Sequence, residues 1–310
     1  MTLFILRRLG AAIPVVVGIT VISFALVHIV PGDPAKVILY GSNASPEQIA
    51  LLRQQLGLDA PIWKQYADFA VHLLHGDLGT SFLTQNPVAY ELLSRAPSTL
   101  ILTASSMLVA VLVGVPLGLV AGQRPGSVLD TIARWVSFVG VAVPYFFLAL
   151  LLVLVFSVKL GWLSAIDDGT AKSLILPAVS LGWGYAAILT RLVRGRVIDE
   201  LRSDYVKSAR ARGSSERRVL LRHVLRNSSV PAVTTIGLQF GNILTGAAIT
   251  EVIFGRAGLG SFLATSITSK NIPVVQGAVV VIGIGYVVIN LAVDLVVGAI
   301  DPRTRQEATA

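Results

Sequence analysis

DYVKSARARGSSERRVLLRHVLRNSSVP, Asp204 to Pro231, is a strongly basic stretch in a chain that is otherwise mostly apolar. From Arg194 to Val230, ten basic residues (Arg194, Arg196, Arg202, Lys207, Arg210, Arg212, Arg217, Arg218, Arg222, Arg226) stand against four acids (Asp199, Glu200, Asp204, Glu216). Ile198, Leu201, Tyr205, Val206 and Ala209 share one helical face, which predicts an amphipathic helix from Ile198 to about Arg212. Gly213 stops it, Ser214 or Ser215 can cap the next helix, and Glu216 suits that helix's positive N-terminus. The stretch reads as helix, tight turn, helix, outside a membrane yet tied to apolar segments at both ends. Its charge alone would fit anionic lipid. The turn chemistry is superfluous for that role and favours a docking element for a protein partner.

The rest of the chain supplies the membrane. Of 310 residues, 54% are hydrophobic and 14% charged, and the mean hydropathy is +0.75, beyond what a solvated globular surface allows. The expected fold class is an all-α polytopic membrane protein. With no cysteine there is no disulfide or thiolate metal site. The net charge of +8 lies largely in loops beside apolar runs, where it sets topology and does not call for nucleic acid.

Arg7 and Arg8 precede an apolar run from Leu9 to Val30, which covers about 30 Å as a helix, the thickness of the hydrocarbon core. It is too long for a signal-peptide core and ends in IVPGDP, not in a small-residue cleavage site, so it reads as a retained first span. Residues 31–97 have soluble composition and form an expected extracytoplasmic helical segment. There Ser45, Pro46 and Glu47 predict a helix start, Gly57 its stop, Pro61 to Leu74 a second helix and His75 to Gly79 a turn. His72, His75 and Asp77 lack further ligands at metal spacing and read as surface residues.

Four long apolar runs follow, Ser98 to Ala121, Trp135 to Val158, Leu174 to Leu192 and Val274 to Gly298, with a more polar one from Ala232 to Ile253. Residues 98–310 thus form a five-helix core that carries the loop 194–230. Six spans place both termini on one side. If that side is cytoplasmic it holds seventeen of the 25 basic residues, as the positive-inside rule favours.

Within the spans, Pro14, Pro116, Pro144 and Pro177 predict kinks. Gly114, Gly118 and Gly122 line one face on which another helix can approach closely. Thr235, Gln239, Asn242 and Thr245 lie along one face of the fifth span and suit either a wet translocation pathway or hydrogen bonds between helices. Glu251 could face that pathway or reach water. Asn290 and Asp294 form an intramembrane polar pair four residues apart in the sixth span, and a structural pairing of Asp294 with an arginine is the favoured reading. No phosphate-binding loop, HEXXH or intramembrane protease arrangement occurs, so an enzyme is not expected, and GRAGLG at Gly255 to Gly260 reads as turn glycines.

DYVKSARARG, RHVLRN (Arg222 to Asn227) and Pro231 resemble the cytoplasmic E-A-A loop in the permease subunits of bacterial ABC importers of the dipeptide/oligopeptide (DppB/OppB) type. PGDP (Pro31 to Pro34), LGLDAP (Leu56 to Pro61), HGDLGTS (His75 to Ser81), LTRLVR (Leu189 to Arg194), PVVQG (Pro273 to Gly277), NLAVDL (Asn290 to Leu295) and DPR (Asp301 to Arg303) resemble that branch in order and spacing. The resemblance implies a type I importer permease in the inner membrane, multi-pass, with cytoplasmic termini. It implies that Asp204, Tyr205, Val206, Lys207, Ser208, Ala209, Arg210, Ala211, Arg212 and Gly213 couple to an ATPase. It also implies a second homologous permease, two cytoplasmic ATPases that hold ATP and Mg, and an external binding protein; this chain would bind no cofactor. Peptides are the expected substrate, with nickel or glutathione as alternatives inside the subfamily and a self-sufficient secondary transporter outside it. The chain departs from the general pattern at Lys207 and Ser208. Arg256 and Ala257 stand where the branch has an aromatic and a proline, and Lys270, Asn271 and Ile272 replace R-D-Y. The latter departures lie on the outer side, where they would bear on substrate or binding protein.

Overall fold

A computed structural model describes residues 2–29, 35–36, 45–55 and 57–300. PGDP, Leu56 and DPR lie outside the described residues. Every long element among those described is a helix. Five are long and apolar enough to cross a bilayer, and a bent pair supplies a sixth span if counted as one. They divide into two compact units: Ser98–Arg256 with the last helix from Ile289 onward, and Arg7–Pro97 with Ala257–Val288.

The second of these units contains most of α1 (Thr2–Ile29), α2 (Pro46–Gln55), α3 (Ile62–Leu74), the start of α4 (Val88–Gln123), α10 (Leu259–Thr268) and the start of α11 (Ile272–Ile300). The predicted start at Ser45 is a capping box: the Gln48 amide donates to Ser45 Oγ at 3.3 Å and the Ser45 amide to Gln48 Oε1 at 2.9 Å. Gly57 and Gly76 take the left-handed conformations that end α2 and α3. Val88, Leu92, Leu259, Val274 and Ala278 form the unit's core. Two results differ from expectation. The helix holding the second span starts at Val88, ten residues before the apolar run, and α10 follows directly on glycines read only as a turn. Asn271 is buried, donating from Nδ2 to Ser81 Oγ (2.8 Å) and accepting from the Phe82 amide (3.1 Å). It braces the loop after HGDLG.

The other unit contains the rest of α4, then α5 (Val128–Ala142), α6 (Tyr145–Leu152, continued by π-helical Val153–Lys159), α7 (Ile175–Leu201), α8 (Asp204–Ala211), α9 (Leu225–Ile253) and the end of α11. Pro144 breaks the predicted third span: Val143 before it is extended (φ −87°, ψ 120°), as a residue preceding proline prefers, and the two halves bend by 102°. Leu102, Met107 and Ala110 of α4, Leu181, Ala186 and Leu189 of α7, and Ile243 and Ala247 of α9 form the central core.

The glycine stripe of α4 lies directly on α7. A Cβ on Gly114 would sit 2.8 Å from Leu189 Cβ, one on Gly118 2.7 Å from Val193 Cβ, and one on Gly122 2.7 Å from Val197 Cβ. Such contacts have no room for a side chain, so the two backbones approach as the small-residue spacing predicts. Gly118→Ala is expected to destabilise the protein by about 1–3 kcal/mol through overpacking, whereas Gly18→Ala, which meets nothing within 4 Å, is expected to be neutral. Thermal unfolding of both variants in detergent checks this, and an unshifted midpoint for Gly118→Ala would contradict the close approach.

Candidate functional site

The basic loop is built at the end of α7. The predicted helix from Ile198 to Arg212 is two pieces: α7 runs to Leu201, and Ser203 turns extended (φ −67°, ψ 153°) before α8 starts at Asp204. The break follows from the serine, whose hydroxyl donates to the Glu200 carbonyl at 2.6 Å and so competes with helical continuation. Asp204 then occupies the first turn of α8, where the helix dipole favours an acid.

Val206 and Ala209, three residues apart, are buried and belong to one apolar cluster with Val193 and Val197 of α7, Val219 and Val224 ahead of α9, and Ala232 within it. The opposite face is exposed: Asp204, Tyr205, Lys207, Ser208, Arg210, Ala211 and Arg212. Local pairs order this face. Lys207 Nζ lies 2.8 Å from Asp204 Oδ1, and the Tyr205 hydroxyl donates to the Glu200 carboxylate.

Gly213 closes the helix in the left-handed region, φ +78°. Its amide donates to the Arg210 carbonyl (2.9 Å) and the Ser214 amide to that of Ala209 (3.1 Å), which satisfies carbonyls the helix end would otherwise leave free. Across the turn Arg210 grips Glu216 with both Nε (2.7 Å) and Nη2 (2.9 Å). This bidentate contact holds the Glu216 carboxyl below its usual range and raises Arg210. Ser215 occupies the cap position with extended backbone, but its hydroxyl makes no cap bond. Residues 216–218 lead through π-helical Val219–Val224 straight into α9, so the turn after α8 is the root of a span.

One contact was not visible in the sequence. Asp130, 1% exposed, accepts from Arg194 Nε, from Arg194 Nη2 (2.9 Å) and from the Gly126 amide (2.9 Å), with Arg134 Nε at 3.6 Å. Its own amide donates to Ser127 Oγ at 3.2 Å, capping α5. SVLD, Ser127 to Asp130, is a readable capping signature, but the arginine is 64 residues away.

The polar face of α9 is where periodicity placed it. Thr235 and Gln239 are half-buried, Asn242 and Thr245 exposed, and the Asn242 amide donates to Gln239 Oε1 at 3.2 Å. Glu251 does not reach water: it is wholly buried and accepts a hydrogen bond from Thr99 Oγ1 of α4 at 2.5 Å. Asn290 and Asp294 are half-buried on α11. Arg256 is buried, with Nη1 3.3 Å from Asp167 and Nη2 3.4 Å from Ser98 Oγ. His72 pairs with Asp77 at 3.2 Å, as surface residues do.

Residues 114–306 match the family described as binding-protein-dependent transport system inner membrane component, and residues 1–103 its N-terminal counterpart. The chain is 40% identical to the glutathione transport system permease protein GsiC of Salmonella typhimurium (strain LT2), covering 97% of this chain and 98% of that protein. It is 37% identical to the dipeptide transport system permease protein DppB of Alkalihalophilus pseudofirmus, covering 98% and 100%. Among solved structures, an inward-facing form of the MetNI methionine ABC transporter shares the fold, with a TM-score of 0.55 and 19% identity over 68% of this chain and 97% of that one.

Two outcomes follow for the loop. Val206→Asp puts an uncompensated charge in a fully buried position and is expected to detach α8, read as new trypsin cleavage after Arg210 or Arg212 in the purified protein. Because the Glu216 carboxyl is depressed in the fold, its pairing with Arg210 stabilises the turn at neutral pH and loses that effect as pH falls through the carboxylate range. Hydrogen exchange at Gly213 and Ser214 is therefore expected to gain from acidification less in Glu216→Gln than in the native chain, after correction for intrinsic rates.

Proposed function

The chain belongs to the family of binding-protein-dependent transport system inner membrane components, and from that premise we propose that it is the permease subunit of an ATP-driven importer of short peptides. It is a multi-pass inner-membrane transport component and carries no ATPase motif of its own. In the proposed assembly a second homologous permease completes the pathway, two cytoplasmic ATPases hold ATP and Mg, and an external binding protein delivers substrate. Residues 31–97 form the extracytoplasmic segment that meets the binding protein, and the basic loop faces the cytoplasm.

The observation that carries this reading is the construction of α8. Its inner face is seated in the apolar cluster formed by α7 and the root of α9, while its outer face is an ordered polar and basic surface. An ATPase groove that held the outer face would move both spans through the inner one. The polar stripe of α9 supplies this chain's share of the pathway. Short peptides are the proposed substrate because dipeptide and glutathione permeases are both full-length relatives, and glutathione is itself a tripeptide.

Proteoliposomes holding the complete complex are expected to accumulate labelled Gly-Leu or glutathione only when ATP reaches the ATPases. Uptake that persists on an ion gradient without ATP would replace this reading with a secondary transporter. Gly213→Pro removes both the left-handed φ and the amide that donates to Arg210. It is expected to abolish uptake and co-purification of the ATPases while the chain still inserts in the membrane; unchanged association would refute the docking role. Gln239→Leu with Asn242→Leu is expected to alter uptake and leave ATPase association intact, whereas unaltered uptake would assign the stripe to packing between helices.

A further inference from the structure

The inner face of α5 is made of small residues. Asp130, Ala133, Ser137 and Gly140 are its buried positions, and a Cβ on Gly140 would lie 2.8 Å from Ala187 Cβ of α7. Small side chains interdigitate little, so such a surface sets the distance between two helices better than their axial register. A bidentate guanidinium on a buried carboxylate does set register, because it needs two parallel hydrogen bonds at once. Asp130 and Arg194 provide that contact, and the turn at Gly126 and Ser127 fixes the carboxylate from its own side.

The place of Arg194 gives the pair its meaning. It lies between Val193 and Val197, which share the apolar cluster with Val206 and Ala209 of α8 and which face Gly118 and Gly122 of α4. The same stretch of α7, residues 193–197, therefore meets α4 and α5 and shares its apolar cluster with α8. We propose that the Asp130–Arg194 pair is a positioning element of coupling, which joins α5 to the turns of α7 that carry α8, so that a displacement of α8 moves α5 together with α7. Beyond Asp130, α5 runs to the 102° bend at Val143 and Pro144, where the chain can change direction without breaking an α-helical hydrogen-bond ladder. This inference rests on the ATPase-docking reading of α8.

The chain contains no cysteine, so spin labels can be placed at Leu129→Cys on α5 and at Ser215→Cys in the turn that follows α8, both exposed and both outside the face offered to the ATPase, without removing native thiols. In the complete complex the distance between labels is expected to stay the same without nucleotide and after trapping with ATP and vanadate. With Asp130→Asn the trapped-state distance is expected to shift or broaden. Uptake of Gly-Leu or glutathione per ATP hydrolysed is expected to fall about tenfold, within the usual range of coupling free energies. Asp130→Arg combined with Arg194→Asp is expected to recover part of that ratio. An Asp130→Asn complex whose distances match the native ones in both states would overturn the proposal, as would uptake and hydrolysis that fall in proportion in every variant. If no ATPase co-purifies with the native chain, the functional reading itself fails; if ATPases bind and the labels give the overturning result, only this inference fails.

Discussion

The seating of Val206 and Ala209 in the apolar cluster that Val193, Val197, Val219 and Val224 also form is the interaction on which the proposed coupling depends. A helix of eight residues is far below the length at which a peptide is helical in water, because nucleation costs more than so few hydrogen bonds return. Asp204–Ala211 therefore exists as a helix because its buried stripe is held from behind and its end is closed by Gly213. A partner that grips the outer face grips an element already fixed to two spans. Without that seating, a push on the loop would bend the loop and leave the spans where they were.

The support behind the seat is equally specific. Val193 and Val197 are immobilised on their far side by Gly118 and Gly122, where any added side chain would collide. The glycine stripe thus does more than let α4 and α7 meet: it holds the turns of α7 that receive α8 at a fixed distance from α4. Arg194 then fastens the same turns to the capped start of α5. Dispersion contacts, a close backbone approach and an ion pair converge on five residues of one helix, 193–197, and hold that stretch of α7 in place.

Local chemistry was legible in the sequence where one short segment decided it. The capping box at Ser45, the stop at Gly213 and the stripe at Gly114, Gly118 and Gly122 each rest on residue types whose conformational or steric demands are strong. Apolar runs located the spans but not their ends: helices extend into polar sequence, as α4 does from Val88 and α7 does to Leu201, because backbone hydrogen bonding continues after hydropathy has stopped. The break at Ser203 was missed because a hydroxyl that bonds back to the helix is indistinguishable in sequence from one that faces water. The Asp130–Arg194 pair was missed for a different reason, since only the folded chain brings together residues 64 positions apart. Asn271 and Arg256, departures expected on the outer side, are both buried within the protein. Asn271 keeps a bridge to Ser81 and Phe82 that an aspartate could also make by accepting from both, and Arg256 brings a charge that Asp167 balances.

These two kinds of information divide along functional lines. On the proposed reading α8 is the coupling side, and the described residues of its apolar seat, Val193, Val197, Val219, Val224 and Ala232, come from this chain. The polar stripe of α9 is built differently. Asn242 and Thr245 remain exposed, and their visible hydrogen bonds are to neighbours on the same helix, Gln239 and the Gly241 carbonyl. In a membrane such a face must be covered by polar groups or water. On the proposed reading the cover is the second permease and the substrate between the two. A peptide would then be recognised by two chains at once.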